Sequence, residues 1–360
     1  MKPIRLYVPD RYREPKISMH TELMFPFWGV TAKETMPYVR AAMLQYQYSK
    51  EDFALSEKIE DADYVLIPYQ YERLKSVNPE KIQMIVREAH EAGKPLLIWG
   101  ASDIEHPIDI SHSVILRLSQ YQYSKKPNEI TIPFSAEDLL ETYMKNELQI
   151  RKKTDTPSVG FTGWAGMSLK NRLKTILKEL PVSLSAFVDE KRGAEHKGIL
   201  FRERALKAIG KNPRINAHFK ARASYSGHVK TIEGAVADNR REFIENLLGS
   251  DYALCVRGDA NSSIRFYEAL SLGRIPLFLD TACVLPLEDT LNYRDFCVFV
   301  DWRDTNRIGH ILADFHAKLS PEQFEDMQRK ARDAYRNYLR TDSFSHALAA
   351  QLRSRLSVKK

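Results

Sequence analysis

The chain has 360 residues, a length that allows two Rossmann-size domains. Its 43% hydrophobic and 28% charged residues are ordinary for a globular protein and exclude a disordered or low-complexity chain. The formal net charge of +7 indicates an anionic partner, or else lysines and arginines scattered over a solvated surface. Neither a basic helix nor an aromatic-plus-basic ribbon is concentrated in the sequence, so we expect no nucleic-acid partner.

The cysteines are too few and too scattered for a disulfide framework. Cys255, Cys283 and Cys297 all lie in apolar segments, and their number is odd. We expect buried thiols in a reducing compartment. No apolar run of the sequence is long enough to span a bilayer.

The first 150 residues alternate between strand-like and helix-like segments, which predicts a Rossmann-like domain. Short apolar runs predict strands, and apolar residues at helical spacing predict helices. The predicted strands cover residues 4–8, 64–68, 95–99, 114–118 and 129–132, and the predicted helices cover residues 35–46, 79–92 and 136–148, the last capped at Ser135.

Residues 151–157 are polar and charged without apolar periodicity, which predicts an interdomain linker. A second alternation of strands and helices follows this segment. Its predicted strands cover residues 159–161, 182–188, 252–256, 275–279 and 296–300, and its predicted helices cover residues 169–180, 201–209, 239–248, 264–272, 305–319, 321–339 and 344–356.

The stretch 251–280 has the order strand, polar loop, helix, glycine turn and strand, which predicts a βαβ unit of a parallel sheet. Its loop follows the carboxyl end of a strand and precedes a helix, where backbone N–H groups and the helix dipole attract anions. Arg257 and Arg265 near this loop are suited to bind a diphosphate. Glu268 either accepts hydrogen bonds from ribose hydroxyls or pairs with Arg265, three residues before it. Ser262 and Ser263 either donate to phosphate oxygens or cap the helix.

Residues 251–301 resemble the exostosin-like glycosyltransferases. The matching motifs are Arg257-Gly258, Ser263-x-Arg265, Glu268-Ala269, Gly273-x-Ile275-Pro276 and Leu285-Pro286, in the family's order. The resemblance implies an α/β GT-B fold, in which two Rossmann-like domains flank a cleft. It further implies a nucleotide-sugar donor, with a UDP-sugar favoured over a GDP-sugar, an inverting transfer, and neither a cofactor nor a metal.

On this basis we expect three parts of the chain. Residues 1–150 would form an acceptor-side domain, residues 158–320 a nucleotide-sugar-binding domain, and residues 321–360 helices that pack back toward the first domain. Gly163, in a predicted turn at residues 162–166, either lets the backbone approach the nucleotide or is an ordinary turn glycine.

An inverting transfer needs a base that deprotonates the acceptor hydroxyl. Asp103 fits best, because it follows the predicted strand 95–99 at the ligand edge, and Glu105 and His106 are close to it in sequence. His20 and Glu22, in the long loop after the first strand, are further candidates. Each of these five residues could equally be a solvated loop residue.

No His, Cys, Asp or Glu cluster has the spacing of a metal site. Asp61-Ala62-Asp63 resembles a metal-binding DxD signature, but it precedes a predicted strand and so lies away from the ligand edge, which favours a solvated turn.

We expect a glycan or lipid-linked glycan acceptor, as in the assembly of a bacterial surface polysaccharide, and a cytoplasmic location. Arg353, Arg355, Lys359 and Lys360 at the C-terminal end could contact the anionic inner face of a membrane. Two alternatives stay open. One is a non-catalytic protein that binds carbohydrate or a nucleotide sugar, and the other is a different GT-B-like enzyme such as an epimerase or a phosphorylase.

Overall fold

A computed structural model describes residues 2–31, 36–222 and 235–357 of the chain. Within these residues two sheets form, and every paired strand runs parallel to its neighbour. The first sheet has the order β2-β1-β3-β4-β5-β6 and consists of β1 (Ile4–Tyr7), β2 (Phe53–Ser56), β3 (Tyr64–Ile67), β4 (Leu96–Trp99), β5 (Ser113–Arg117) and β6 (Glu129–Thr131). The second has the order β11-β10-β9-β7-β8 and consists of β7 (Ser158–Trp164), β8 (Asn216–Arg222), β9 (Tyr252–Cys255), β10 (Ile275–Asp280) and β11 (Val298–Asp301).

Helices connect most of these strands, as parallel pairing requires. In chain order they are α1 (Phe25–Trp28), α2 (Pro37–Gln45), α3 (Tyr71–Val77), α4 (Pro79–Glu91), α5 (Leu139–Tyr143), α6 (Leu169–Lys178), α7 (Leu180–Val188), α8 (Gly198–Gly210), α9 (Val236–Leu248), α10 (Ile264–Ser271), α11 (Ile308–Lys318), α12 (Pro321–Ala334) and α13 (Thr341–Ser357).

The sequence explains where these elements form. All residues of β4 and β9 are buried, because a parallel sheet covered on both faces selects continuous apolar runs. Helix α12 begins with a capping box, in which the Ser320 hydroxyl accepts from the Gln323 amide at 3.2 Å. The Gln323 side chain in turn accepts from the Ser320 amide at 2.8 Å, and Pro321 occupies the first turn.

The chain divides into two compact units, each of which contains one sheet. The first unit comprises Met1–Gln120, Ser124–Ser135 and Asn337–Lys360, and the second comprises Tyr121–Tyr123 and Ala136–Arg336. Two Rossmann-like units, each with one parallel sheet, confirm the predicted α/β class. Their bounds differ from the expected 1–150, 158–320 and 321–360, since α12 belongs to the second unit and α13 to the first.

The predicted linker at 151–157 is bonded into the second unit. Arg151 Nε lies 2.7 Å from Asp251 Oδ1, and the Arg151 amide donates to Gln328 Oε1 at 2.8 Å. A polar segment without periodicity thus becomes ordered because buried polar groups elsewhere in the unit accept its hydrogen bonds.

Three local predictions were wrong. Residues 182–188 are part of α7 and not a strand, since a short apolar run fits either structure and Pro181 suits a first helical turn. The helix predicted at 136–148 is the shorter α5 in the structure, and its N-cap is Asp138 and not Ser135. Strands β2 and β8 were missed; β8 is a polar, largely exposed edge strand without an apolar signal.

The predicted cysteine state is confirmed. Cys255, Cys283 and Cys297 are buried free thiols. Burial raises the pKa of Cys255 to about 12 and raises the pKa of Cys283 further. All three therefore stay protonated and unreactive at neutral pH.

Candidate active site

The second sheet reverses its order at β7, which lies between β8 and β9. The chain leaves β7 for the edge strand β8 and then returns to β9 on the other side. Open α/β sheets bind ligands outside the carboxyl ends of their strands at such a switch point. The loop at residues 256–263, between β9 and α10, begins here, as the stretch 251–280 predicted.

Arg265 lies in the first turn of α10 and is bonded to the carboxyl end of β7. Its Nη2 donates to the Thr162 carbonyl oxygen at 2.6 Å, and its Cζ lies 4.4 Å from the centroid of the Phe161 ring. The side chain is half-buried. The predicted diphosphate-binding arginine is thus held at the switch point by two independent contacts.

Gly163 makes room for this arginine. It lies inside β7, not in the predicted turn, and its φ is +148°. A Cβ at this position would lie 2.7 Å from Arg265 Nη2. Glycine is therefore required here by backbone conformation and by the position of Arg265.

Arg257 is buried, and its guanidinium group is engaged with the protein. Nη1 donates to the Ala194 carbonyl oxygen at 3.1 Å and to the Tyr121 hydroxyl, and Nη2 donates to the Asp259 carbonyl oxygen at 2.7 Å. Only 7% of the residue is exposed. Arg257 therefore organises the loop between β9 and α10 from within.

Most of the rest of this loop is also buried, although Gly258 is half-buried and Asp259 is exposed. Asn261 is fixed by Thr281, whose hydroxyl donates to Asn261 Oδ1 at 2.5 Å. Ser262 and Ser263 are buried, and Ser263 occupies the N-cap position of α10 without a side-chain cap hydrogen bond. Gly258 has room for a Cβ, whose nearest neighbour would be Arg202 Nη2 at 3.6 Å.

Glu268 belongs to a buried charge cluster. Its Oε1 accepts from Arg240 Nη1 at 2.6 Å, and Arg240 Nη2 donates to Glu137 Oε2 at 2.7 Å. Burial raises the pKa of Glu137 although Arg240 opposes that shift. Two carboxylates thus share one guanidinium group, which fixes the orientation of Glu268 on α10.

Sequence reasoning missed two residues of α8 that support the site. Arg202 Nη1 donates to the Trp164 carbonyl oxygen at 3.2 Å, and its Nη2 lies 3.5 Å from the Val256 carbonyl oxygen, so it joins the ends of β7 and β9. At Gly198 a Cβ would lie 2.2 Å from the Arg257 carbonyl oxygen. The only local signal was the Gly-x-x-x-Arg spacing at the start of a predicted helix.

A cavity of about 620 Å³ opens beside the carboxyl end of β7. Trp164 and Met167 supply apolar surface, and Lys174, Lys178 and Lys197 supply three cations. The remaining lining residues are Gly166, Ser168, Asn171 and Thr175, at the start and on one side of α6. This volume lies within the range that holds a nucleotide-sized ligand.

In the first unit, Glu22 lies at the switch point of the first sheet. The Thr21 amide donates to the Pro68 carbonyl oxygen at 2.9 Å, next to the carboxyl end of β3, and β3 pairs with β1 where the strand order reverses. Glu22 Oε2 accepts from the Ser135 hydroxyl, and burial raises the pKa of Glu22 to about 7. His20, whose Nε2 lies 2.6 Å from the Gly29 carbonyl oxygen, has a pKa lowered by burial.

The other three candidate bases lie in the loop after β4. Asp103 and His106 are exposed. The carboxylate of Glu105 accepts from the Ser124 hydroxyl at 3.0 and 3.1 Å. Of the five candidates, Glu22 therefore combines a switch-point position with a pKa near neutrality.

Several other sequence features are structural. Asp63 Oδ2 accepts from the Arg5 amide at 2.8 Å, which makes the Asp61-Ala62-Asp63 segment a turn before β3. Among the described residues, no three His, Cys, Asp or Glu side chains are placed to hold a metal ion. None of the described helices is both long enough and apolar enough to span a bilayer.

The basic residues predicted to contact a membrane are partly engaged. Arg353 Nη1 donates to the Lys2 carbonyl oxygen at 2.9 Å, and Arg355 Nη1 donates to the Pro127 carbonyl oxygen at 2.6 Å. Lys359 and Lys360 lie outside the described residues.

Sequence comparison matches residues 42–315 of the chain to the Exostosin GT47 domain. The chain is 29% identical over 103 residues to the exostosin-1 homolog of Caenorhabditis elegans. It is also 29% identical over 96 residues to a probable glycosyltransferase and 26% identical over 101 residues to the probable arabinosyltransferase ARAD1, both of Arabidopsis thaliana. These matches cover 29%, 27% and 28% of the chain and span 26%, 18% and 22% of the three relatives.

Two solved structures are more distantly similar. The crystal structure of TarM aligns at a TM-score of 0.36 and 11% identity, over 89% of this chain and 57% of that one. The UDP co-structure of MnaA from S. aureus aligns at a TM-score of 0.31 and 13% identity, over 99% of this chain and 97% of that one.

Proposed function

Because the chain belongs to the exostosin GT47 family, a family of glycosyltransferases, we propose that it transfers a sugar from a nucleotide-sugar donor to a glycan acceptor. The observation that carries this proposal is the position of Arg265. Its guanidinium group is bonded to β7 at the sheet's switch point and lies at the N-terminal end of α10. The second unit would bind the donor, and the first unit would supply the acceptor-side base.

The donor's diphosphate would bind Arg265 and the N-terminal end of α10, toward which the helix dipole attracts negative charge. Negative charge grows on the nucleotide diphosphate as it leaves, and each well-placed donor is typically worth about 3 kcal/mol in the transition state. Ser262 and Ser263 would add hydroxyl donors, while Arg257 and Gly258 would hold the loop in shape. This set of cations and dipoles supports a transfer that needs no metal.

The nucleoside would occupy the cavity beside β7. Trp164 and Met167 offer apolar surface to a base, and the three lysines favour a polyanionic ligand. Glu268, oriented by Arg240, would accept hydrogen bonds from ribose hydroxyls. A UDP-sugar is the favoured donor, and a GDP-sugar is the alternative.

For an inverting mechanism, Glu22 is the base that we propose. A general base works best when its pKa lies near the working pH, and burial raises the pKa of Glu22 to about 7. The carboxylate would take the proton of the acceptor hydroxyl as that oxygen attacks the anomeric carbon. The acceptor that we propose is a lipid-linked glycan of a bacterial surface polysaccharide, and the place of action that we propose is the cytoplasm.

Nucleotide binding tests the donor site. The midpoint temperature of thermal unfolding should rise more with UDP than with GDP, CMP or dTDP, because bound ligand stabilises the folded state. In Arg265→Ala the affinity for UDP should fall at least tenfold. Arg241→Ala is the matched control, since this arginine is exposed on α9 and pairs locally with Asp238. An undiminished UDP shift in Arg265→Ala would overturn the assignment.

Turnover separates the enzyme from a binding protein. Incubation of the chain with UDP-sugars and glycan acceptors should release free UDP only when an acceptor is present, and Glu22→Gln should abolish that release while preserving UDP binding. A protein that only binds would show the shift without release. Conversion of the UDP-sugar to another UDP-sugar without an acceptor and without release of UDP would indicate an epimerase, and turnover that requires phosphate would indicate a phosphorylase.

A further inference from the structure

Helices α6 and α7 expose an unusual amount of apolar surface. We call this surface the α6–α7 face and define it by the exposed residues Leu173, Ile176, Leu177, Leu180, Leu184, Phe187 and Val188. Phe187 is 93% exposed, Val188 88% and Leu184 70%. Single exposed apolar residues are ordinary on protein surfaces, but seven of them within two consecutive helices indicate an interaction site.

The spacing places these residues on one side of each helix. In α7, Leu180, Leu184, Phe187 and Val188 follow the i, i+4, i+7, i+8 pattern that normally faces a core. No residue of α7 is buried, however. The apolar stripe therefore faces outward from the described part of the second unit.

The corner between the two helices is held rigidly. Glu179 separates α6 from α7, is buried, and accepts the Lys197 amide at 2.9 Å through Oε2. The same oxygen lies 3.1 Å from His196 Nδ1. A buried carboxylate with two partners fixes the corner, so the exposed stripe is a built feature of the fold and not a frayed end.

The charges on α6 indicate what this face binds. The helix carries Lys170, Arg172, Lys174 and Lys178 and no acidic residue. At 100° per residue, Lys170 borders the stripe of Leu173, Ile176 and Leu177 on one side, and Arg172, whose Nε lies 3.5 Å from Glu203 Oε2, borders it on the other. Lys174 and Lys178 are on the side of α6 that lines the cavity. Apolar side chains flanked by lysine and arginine are typical of a helix that lies in the interface of an anionic membrane.

From these observations we infer that the α6–α7 face docks on the surface of an anionic phospholipid bilayer. Phe187, Val188 and Leu184 would enter the boundary between headgroups and acyl chains, and Lys170 and Arg172 would contact lipid phosphates. A second copy of the chain fits the face less well, because a symmetric pairing would bring the flanking cations Lys170 and Arg172 against the same cations of the other copy. This inference goes beyond the proposed function, and its test needs no sugar donor.

Vesicle binding tests the inference. The full chain should sediment with vesicles of phosphatidylcholine containing 30% phosphatidylglycerol and stay in solution with pure phosphatidylcholine, and added salt should weaken binding. Leu184→Asp combined with Phe187→Asp should lower the apparent affinity at least tenfold. Leu44→Asp, at an exposed leucine of the first unit, is the matched control and should bind like the wild type.

A second variant and a second measurement keep the test decisive. Lys170→Glu should weaken vesicle binding roughly tenfold while leaving the apolar stripe intact. The inference fails if the wild type ignores anionic vesicles or if the double variant binds them like the wild type. It also fails if light scattering shows that the wild type is a dimer and the double variant a monomer, while both bind vesicles equally.

Discussion

Arg265 Nη2 lies 2.6 Å from the carbonyl oxygen of Thr162, so the first turn of α10 is bonded directly to the carboxyl end of β7. Stacking on Phe161 holds the same guanidinium group from a second side. The Thr162 hydroxyl is buried and lacks a hydrogen-bond partner within the described part of the chain. A fixed cation beside an unsatisfied hydroxyl is the kind of local arrangement that a polar ligand completes.

The first prediction concerns Gly163. In Gly163→Ala the new Cβ would lie 2.7 Å from Arg265 Nη2 on a backbone with φ of +148°, so we expect Arg265 to be displaced. The free energy of unfolding should fall by about 1–3 kcal/mol, and UDP affinity should fall as in Arg265→Ala. Urea unfolding and calorimetric titration with UDP measure the two effects.

A double variant decides whether Gly163 acts through Arg265. If both substitutions remove the same contact, the combination of Gly163→Ala with Arg265→Ala should weaken UDP binding no more than Arg265→Ala alone. Additive losses would show that Gly163 contacts the ligand independently.

The βαβ unit around residues 251–280 could be predicted because its signals are local. The apolar run forms β9, and α10 ends at Ser271, two residues before Gly273, whose φ of +64° favours glycine. What Arg257 does could not be predicted, since its partners Tyr121 and Ala194 are 136 and 63 residues away. The partner of Glu268 could not be predicted either. The helical spacing predicts Arg265 as its partner, whereas in the structure Glu268 pairs with Arg240, 28 residues away.

Burial is a second property that sequence patterns did not supply. Glu22 and Asp103 are both carboxylates in loops, and the sequence favoured Asp103 because it directly follows a strand. Packing around Glu22 raises its pKa, whereas Asp103 is exposed. Likewise, the apolar run at 182–188 predicts a strand, but these residues belong to α7, none of whose residues is buried.

The charge cluster of Glu137, Arg240 and Glu268 gives the second prediction. Arg240→Met leaves two buried carboxylates without their cation, and breaking a buried ion pair in this way typically costs about 3–5 kcal/mol. Arg241→Met is the control, because Arg241 is 68% exposed and such surface pairs contribute less than about 1 kcal/mol. Urea unfolding of both variants checks this; equal losses would mean that the buried cluster contributes no special stability.

Two glycines of α8 give the third prediction. Gly198→Ala places a Cβ 2.2 Å from the Arg257 carbonyl oxygen, and since backbone cannot rotate away, we expect a loss of about 1–3 kcal/mol. Gly210→Ala at the other end of the helix meets only Phe219 at 3.9 Å and should be neutral or stabilising by about 0.5–1 kcal/mol. The midpoint temperature of thermal unfolding measures both effects. If the two variants had the same midpoint, the loop around Arg257 would be less tightly packed against Gly198 than the structure indicates.

The last prediction concerns pH and Glu22. Its pKa rises from an ordinary 4.5 to about 7 on folding, so between these values the folded state binds more protons than the unfolded state. The stability of the protein should therefore fall as pH increases from 4.5 to 7 and level off above 7. Glu22→Gln removes this effect, so the stability of the variant relative to that of the wild type should be about 3 kcal/mol greater at pH 8 than at pH 4.5.

The rate of catalysis should depend on pH in the opposite direction to stability. If Glu22 is the base, the wild-type kcat/KM should rise with pH up to about 7, because only the carboxylate accepts a proton. Glu22→Gln should then lower the rate about 10²- to 10⁴-fold while leaving UDP affinity unchanged. Glu60→Gln, at an exposed carboxylate of the same unit, is the control for both measurements. If the Glu22→Gln variant gained stability but kept the wild-type rate, the base would be Asp103, Glu105 or His106 instead.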